Sequence, residues 1–331
     1  MKVKDFVSLK DIEQLLAANA DNFDELALSV FRYQYAGNDI YRQYCNALRV
    51  DPQQVHDITG IPFLPISFFK SHRVLTGAAE ATLVFESSGT MGEIPSRHFV
   101  TDEHIYRQSL LQGFSRFYGD PAGYTFLALL PSYLERKNAS LVHMAKVLMA
   151  HSGQADNGFY INEWEKLAAT LQRLIADGQK VLLLGVTFAL LDFAAAYPMP
   201  LGSAIVMETG GMKGRRTEMT RAEVHDELKR QWHLAGIHSE YGMTELLSQA
   251  YATGDGLFGC TNTMKVLVRD MNDPLDVKLA GSGAANVIDL ANVHSCSFIA
   301  TEDLVHVNKG LFEVLGRVDH TALRGCSLMT A

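Results

Sequence analysis

Two short stretches of this chain hold residue types from which nucleotide chemistry can be built. The first, Phe85-Glu-Ser-Ser-Gly-Thr-Met-Gly-Glu-Ile-Pro95, places Ser87, Ser88, Gly89, Thr90 and Gly92 in one loop. Hydroxyls and unhindered backbone N–H groups of this kind form an anion-binding concavity when the chain turns tightly. The second, Ser239-Glu-Tyr-Gly-Met-Thr-Glu245, sets an aromatic ring, a hydroxyl and a carboxylate within five positions. Tyr241 offers a stacking face, Thr244 a donor to phosphate and Glu245 a ligand for Mg²⁺.

These residues need a framework, and the hydrophobic pattern supplies one. Ser8, Asp21 and Asn38 are candidate caps before stretches with apolar residues at three- and four-residue spacing, so residues 1–70 read as an N-terminal helical segment. From Ala81 onward, short β-rich runs alternate with amphipathic helical ones: Ala81 to Phe85, Thr101 to Phe117, Tyr124 to Leu130, Ala139 to His151, Glu163 to Ile175, Val181 to Val186, a helix to Tyr197, then Ala204 to Met207. Thr220-Arg-Ala-Glu223 has the spacing of a capping box and opens a helix through Trp232, with a strand from Ile237 to Tyr241 after it. The alternation predicts an α/β fold, a largely parallel sheet with flanking helices, over residues 71–258. Residues 259–331, with short runs at Met264 to Val268, Phe298 to Thr301 and Phe312 to Leu315, read as a smaller β-rich subdomain and tail.

Composition narrows the classes of function. The 331 residues are 47% hydrophobic and 20% charged, as in an ordinary soluble enzyme rather than a disordered chain. A net charge of −8 argues against a nucleic-acid-binding surface, which needs a basic face. Cys45, Cys260, Cys296 and Cys326 lie far apart without metal-ligand spacing, so neither zinc nor disulfides are expected. The opening residues contain no apolar signal segment, which points to a cytoplasmic protein. The apolar run Val181 to Leu201 is interrupted by Asp192 and closed by Pro198 and Pro200, and reads as strand plus helix rather than a membrane span. Gly281-Ser-Gly283 lacks the third glycine of a dinucleotide fingerprint.

The Ser87 to Pro95 loop is not a Walker loop, since it lacks Gly-Lys-Ser/Thr; together with Tyr241-Gly-Met-Thr-Glu245, in that order and at that distance, it resembles the two nucleotide motifs of the adenylate-forming superfamily. Met207-Glu-Thr-Gly-Gly-Met-Lys-Gly-Arg-Arg216, Thr301-Glu-Asp303 and Gly316-Arg-Val-Asp319 fit its further segments. Within that superfamily, Glu208 to Arg215, Glu240 to Leu246 and Gly316 to Leu328 resemble the acyl-protein synthetase (LuxE-like) family, a likeness spanning roughly residues 60 to 330. The resemblance implies an adenylate-forming N-terminal-domain fold without a full C-terminal lid domain.

It also implies roles. Ser87, Ser88, Gly89, Thr90 and Gly92 would cradle phosphates, Gly210 and Gly211 would line the adenine site, and Tyr241 would stack on the base. Thr244 would bond the α-phosphate, Glu245 would help hold Mg²⁺, and Asp303 and Arg317 would take the ribose. Cys326 matches the cysteine that accepts the acyl group, and the neighbouring Arg324 would favour its thiolate. The loop departs from the common pattern with Met91 in place of a second threonine and Ser96 where lysine often follows the proline. Charge on the leaving pyrophosphate would then fall to Mg²⁺, Lys213 or the arginines Arg215 and Arg216. The implied activity is ATP-dependent activation of a carboxylic, fatty, acid as its adenylate, followed by transfer to a thiol on Cys326 or on a partner, either an acyl-reductase or an acyl carrier. The alternatives are a ligase that uses coenzyme A as acceptor and a non-catalytic adenylate binder.

Overall fold

The computed structural model describes residues 8–87, 94–130, 138–210, 219–254 and 256–318. In chain order its elements are α1 (Leu9–Leu16), α2 (Phe23–Gly37), α3 (Asp39–Ala47), β1 (Leu64–Pro65), α4 (Phe68–Ser71), β2 (Leu83–Glu86), β3 (Arg97–Val100), α5 (Glu103–Tyr118), β4 (Thr125–Leu129), α6 (Ser140–Ser152), β5 (Gly158–Phe159), α7 (Trp164–Ala176), β6 (Val181–Val186), α8 (Thr187–Ala196), β7 (Ile205–Thr209), α9 (Arg221–Trp232), β8 (His238–Tyr241), β9 (Ala250–Ala252), β10 (Phe258–Cys260), β11 (Met264–Arg269), β12 (Val277–Lys278), β13 (Gly281–Asp289), β14 (Phe298–Asn308) and β15 (Leu311–Arg317).

Local chemistry accounts for several starts. Ser8 and Asn38 accept from the backbone N–H groups of Asp11 and Tyr41, as caps do. Asp21 is not the cap of α2; the adjacent Asn22 holds that position and makes no side-chain cap bond. Thr220 and Glu223 form both halves of the expected capping box at α9.

Strands β5, β4, β6, β7 and β8 form a parallel block. Every residue of β4 and β6 is buried, as strands covered by helices on both faces require. After β8 the sheet turns antiparallel and continues through β9, β10, β15, β14, β13, β11 and β12, with β1 pairing in parallel to β14. A separate hairpin is made of β2 and β3. The mixed α/β architecture follows the expected class, with a longer antiparallel arm than the apolar runs suggest. β13 carries little β-forming character at Gly281-Ser-Gly-Ala-Ala, yet it pairs along β11 and β14. Gly283 is required there: a Cβ would meet the Arg269 carbonyl oxygen at 2.4 Å. Gly283 thus marks a close approach of neighbouring strands, and Gly281-Ser-Gly283 lies within β13 and not in a phosphate turn.

Two hydrophobic cores divide the molecule. One packs α6 to α9 against the parallel block. The other joins the N-terminal helices to the antiparallel arm, where Phe31, Tyr41 and Phe63 surround Phe298 at ring separations of 6.1, 5.9 and 6.2 Å. Buried Gln34 seals this contact, donating to the carbonyls of Asn292 and Val293 and accepting from Ser297 N–H. Among the described residues no helix is long and apolar enough to cross a membrane, and Val181 to Ala196 is β6 followed by α8.

Candidate active site

Thr209 on β7 stands opposite Glu240 on β8. The C-terminal ends of these parallel strands bring Glu208, Gly210 and Tyr241 to one rim of the sheet, where ligands of open α/β sheets sit. Side chains alternate between faces, so Glu208 and Ser239 point toward α9 while Thr209 and Glu240 point away. The Glu208 carboxylate accepts from Thr187 Oγ1 (3.0 Å) and Arg221 Nε (3.2 Å), with His225 Nε2 at 3.7 Å. Burial pushes its pKa up, but the hydrogen bond from His225, the Arg221 charge and Ser239 outweigh this and hold the carboxyl below its usual range. The Thr187 hydroxyl also lies 2.9 Å from the Gly210 carbonyl, which fixes the turn out of β7.

Glu240 has a poorer environment. Its carboxylate receives the Thr209 hydroxyl, but burial, with a contribution from the Glu208 charge, raises its pKa to about 7. A Cβ on Gly242 would meet Glu240 Oε1 at 2.4 Å, so a side chain there would have to displace the carboxylate end.

The next residue to reach the rim, Tyr241, is tied to two expected partners. Its hydroxyl donates to Asp303 Oδ2 at 2.8 Å, and Arg317 Nε donates to Asp303 Oδ1 at 2.9 Å. Asp303 and Arg317 are opposed on β14 and β15. The Tyr241 ring stands edge-on to Phe258 and Phe312, and burial followed by the Asp303 charge raises the phenol well above its ordinary pKa. Three residues separated by as many as 76 positions in sequence therefore meet at one carboxylate. Each carboxylate oxygen retains a second acceptor direction for a ribose hydroxyl.

Thr244 and Glu245 lie in the turn after β8. His98 on β3 contacts the Thr244 carbonyl through Nδ1 at 2.9 Å, and Asn292 Nδ2 donates to the Glu245 carbonyl at 2.8 Å. Glu245 is 4% exposed, and burial raises its pKa against the opposing influence of a hydrogen bond from Ser96 and the charges of Arg317 and Lys70. Among the described residues no three His, Cys, Asp or Glu side chains form a metal cluster. A lone carboxylate still fits Mg²⁺, which takes one or two carboxylates and completes its shell with substrate phosphate and water.

The base of the expected phosphate loop is closed by Ser96 N–H donating to Ser87 Oγ (2.9 Å) and Ser87 N–H donating to the Ser96 carbonyl (3.0 Å). Ser88, Gly89, Thr90, Gly92, Gly211, Lys213, Arg215, Arg216, Arg324 and Cys326 lie outside the described residues. The structure thus brings together Ser87, Thr244, Glu245, Tyr241, Asp303 and Arg317 around the rim and the hairpin base. Sequence reading missed His98, Asn292 and Glu240. Of these only Glu240 left a signal, a carboxylate two places before a glycine at a strand end.

The other cysteines are poor nucleophiles. Burial pushes the thiols of Cys45 and Cys260 up to about 12, and that of Cys296 is raised by the same cause.

A family model described as "Acyl-protein synthetase, LuxE" matches residues 12–122. The long-chain-fatty-acid–luciferin-component ligase of Vibrio harveyi is 24% identical over 328 residues, covering 92% of this chain and 85% of that protein. The ligase of the same name from Photorhabdus luminescens is 42% identical over 69 residues, covering 20% of this chain and 59% of its own. Among solved structures, a 2-hydroxyisobutyryl-CoA ligase in complex with 2-HIB-AMP and CoA superposes with a TM-score of 0.63 at 13% identity, covering 91% of this chain and 69% of that one. An ATP-bound RpMatB-BxBclM chimera superposes with a TM-score of 0.55 at 16% identity, covering 73% of this chain. The present chain spans about half the length of that chimera, 49%. The structural likeness gives the fold alone, and the sequence matches show that the chain is similar to acyl-protein synthetases over residues 12–122 and to a long-chain-fatty-acid–luciferin-component ligase over most of its length.

Proposed function

We propose that this protein uses ATP to convert a carboxylic acid, in the class of long-chain fatty acids, to its acyl-adenylate and then passes the acyl group to a thiol. A free carboxylate is a poor electrophile. Its attack on the α-phosphorus releases pyrophosphate and leaves a mixed anhydride, from which a thiolate displaces AMP to form a thioester. Such a reaction asks the protein mainly for positioning and charge neutralisation.

The observation that carries the reading is the Asp303 carboxylate held between Tyr241 and Arg317, beside a turn that presents Thr244 and Glu245 toward the hairpin base at Ser87 and Ser96. In this reading the Ser87 to Gly92 loop cradles the phosphates, Gly210 and Gly211 with Tyr241 flank adenine, Asp303 and Arg317 take the ribose, and Thr244 meets the α-phosphate. Glu245 would hold Mg²⁺, which supplies charge neutralisation on the phosphates when bound. Lys213 serves the pyrophosphate or the acid's carboxylate. Cys326 is the acyl acceptor, a role supported by the raised thiols of Cys45, Cys260 and Cys296. An acyl-reductase or acyl-carrier protein would then receive the acyl group in the cytoplasm.

The test is incubation with ATP, Mg²⁺ and fatty acids of graded length. Pyrophosphate release and a hydroxylamine-sensitive adduct on the protein are expected, with Cys326→Ser losing the adduct and keeping pyrophosphate release. No pyrophosphate with any acid would refute the ligase reading. A coenzyme A ester formed equally well by Cys326→Ser would transfer the acceptor role to coenzyme A.

A further inference from the structure

His98 on β3 and Asn292 in the short turn after β13 are both fully buried, and each holds one backbone carbonyl of the turn after β8. A carbonyl only accepts, so His98 Nδ1 carries a proton toward Thr244, and the Asn292 amide nitrogen rather than its oxygen faces Glu245. Burial lowers the pKa of His98 to about 4, against bonds to the Thr244 carbonyl and to Asn292 that favour the charged ring, so the imidazole is neutral near neutral pH. The remaining polar atoms of the two side chains, His98 Nε2 and Asn292 Oδ1, are then both acceptors. Both are buried, and neither has a hydrogen-bond partner among the described residues. Buried acceptors without a donor are costly. Reversing the tautomer or the amide would satisfy one of them only by turning an acceptor toward a backbone carbonyl. His98 and Asn292 line a common cavity of about 10 Å³, with Val100, Ile105, Leu247 and Ala291 among its apolar walls. That is about the space of one water molecule, whose two hydrogens match two acceptors.

We propose that one buried water bridges His98 Nε2 and Asn292 Oδ1, donating to both, and that this bridge makes His98 and Asn292 positioning residues for Thr244 and Glu245. The water fixes the orientation of the ring and of the amide, and these in turn fix the two carbonyls on either side of one peptide step. The positioning role deepens the adenylation reading and rests on it. A turn displaced by loss of the bridge would present Thr244 and Glu245 poorly to the reacting phosphate, while the ribose clasp at Asp303 would stay intact.

Two measurements on the wild-type full chain test the bridge. A crystal structure should show an ordered water within hydrogen-bond distance of both atoms, and nitrogen NMR of histidine-labelled protein should show His98 neutral with its proton on Nδ1. An empty cavity, or a proton on Nε2, overturns the bridge. Kinetics of pyrophosphate release with ATP, Mg²⁺ and a fatty acid test the role. His98→Leu should lower kcat about tenfold and leave KM for ATP within about twofold, the pattern of a group that positions rather than binds. His98→Asn, whose amide nitrogen can take the place of Nδ1, should recover kcat to about threefold below wild type, the remainder being the share of the water. Unchanged kcat in His98→Leu, a loss confined to KM, or no recovery in His98→Asn overturns the positioning role, and full recovery in His98→Asn removes the water from it. Wild type that releases no pyrophosphate with any acid removes the adenylation reading and the role with it, while the crystal and the spectrum still decide the water and the tautomer.

Discussion

Glu208 and Glu245 are both buried carboxylates near the rim of one sheet, 4% exposed each, yet their surroundings drive them in opposite directions. At the end of β7, Glu208 has a guanidinium, an imidazole and a hydroxyl around it, and its carboxyl is held below the usual range. In the turn after β8, Glu245 has Ser96 and the fields of two cations, and burial still raises it. A buried carboxylate with a complete set of partners is a structural device, whereas one left short of positive charge is a place where a cation is favoured. The first region therefore ties the end of β7 to the start of α9, and the second carries the carboxylate to which the proposed function assigns Mg²⁺.

The largest expected effect breaks the second region. Glu245→Gln should lower the rate of pyrophosphate release about 10³-fold, the upper range for loss of one charge-stabilising group in an active site. The melting temperature should hold or rise, because a neutral side chain avoids the burial penalty. A variant that keeps wild-type turnover would place Glu245 with Glu208 among structural residues and dissolve the contrast.

Replacement at the first region should do the reverse. Glu208→Gln leaves Arg221 and His225 facing a neutral group and should cost about 3 kcal/mol of unfolding free energy, as breaking a buried ion pair does. Turnover per folded molecule should change little. Glu240 provides the internal control. Its folded pKa of about 7 stands above the ordinary 4.5, so the folded state binds the proton more tightly than the unfolded state does. That contribution to stability is complete below about 4.5 and is lost as pH rises through about 7. The shift corresponds to about 3 kcal/mol at its full extent. Glu240→Gln should therefore match wild type at low pH and be the more stable of the two at pH 9, read by denaturant unfolding across the range. Parallel curves for the two proteins would show that Glu240 does not titrate in this window.

Much of this arrangement was legible from residue order alone, and the limits have physical causes. α9 announced itself because Thr220 and Glu223 cap it locally, and β6 because six apolar residues leave no polar face. The members of the Asp303 clasp were legible as separate motifs. Their union was not, since it depends on β15 returning along β14 and on the antiparallel switch after β8. His98 and Asn292 gave no periodic or motif signal, and their role arises only where β3 and the segment after β13 converge on the backbone of Thr244 and Glu245. The helices before residue 48 likewise carry a clear amphipathic pattern but no statement of what they cover, and their partner proves to be a set of strands more than 200 residues away.

The smallest expected effect sharpens the comparison at Tyr241, which could serve nucleotide by its ring alone or by its ring and hydroxyl together. Tyr241→Phe keeps the aromatic face and the edge contacts to Phe258 and Phe312, and removes only the donor at 2.8 Å from Asp303 Oδ2. A hydrogen bond to a charged group contributes about 1.5 to 3 kcal/mol when intact. Asp303 keeps Arg317, and a ribose hydroxyl can occupy part of the released position, so the net loss should sit at the bottom of that range. ATP binding should weaken about tenfold, with adenosine weakened by the same factor if, as proposed, the clasp acts on the ribose and not on the phosphates. Equal affinities for wild type and Tyr241→Phe would assign Tyr241 to stacking alone. A larger loss for ATP than for adenosine would move its influence along the turn to Thr244 and Glu245, uniting the clasp and the under-neutralised carboxylate in one element.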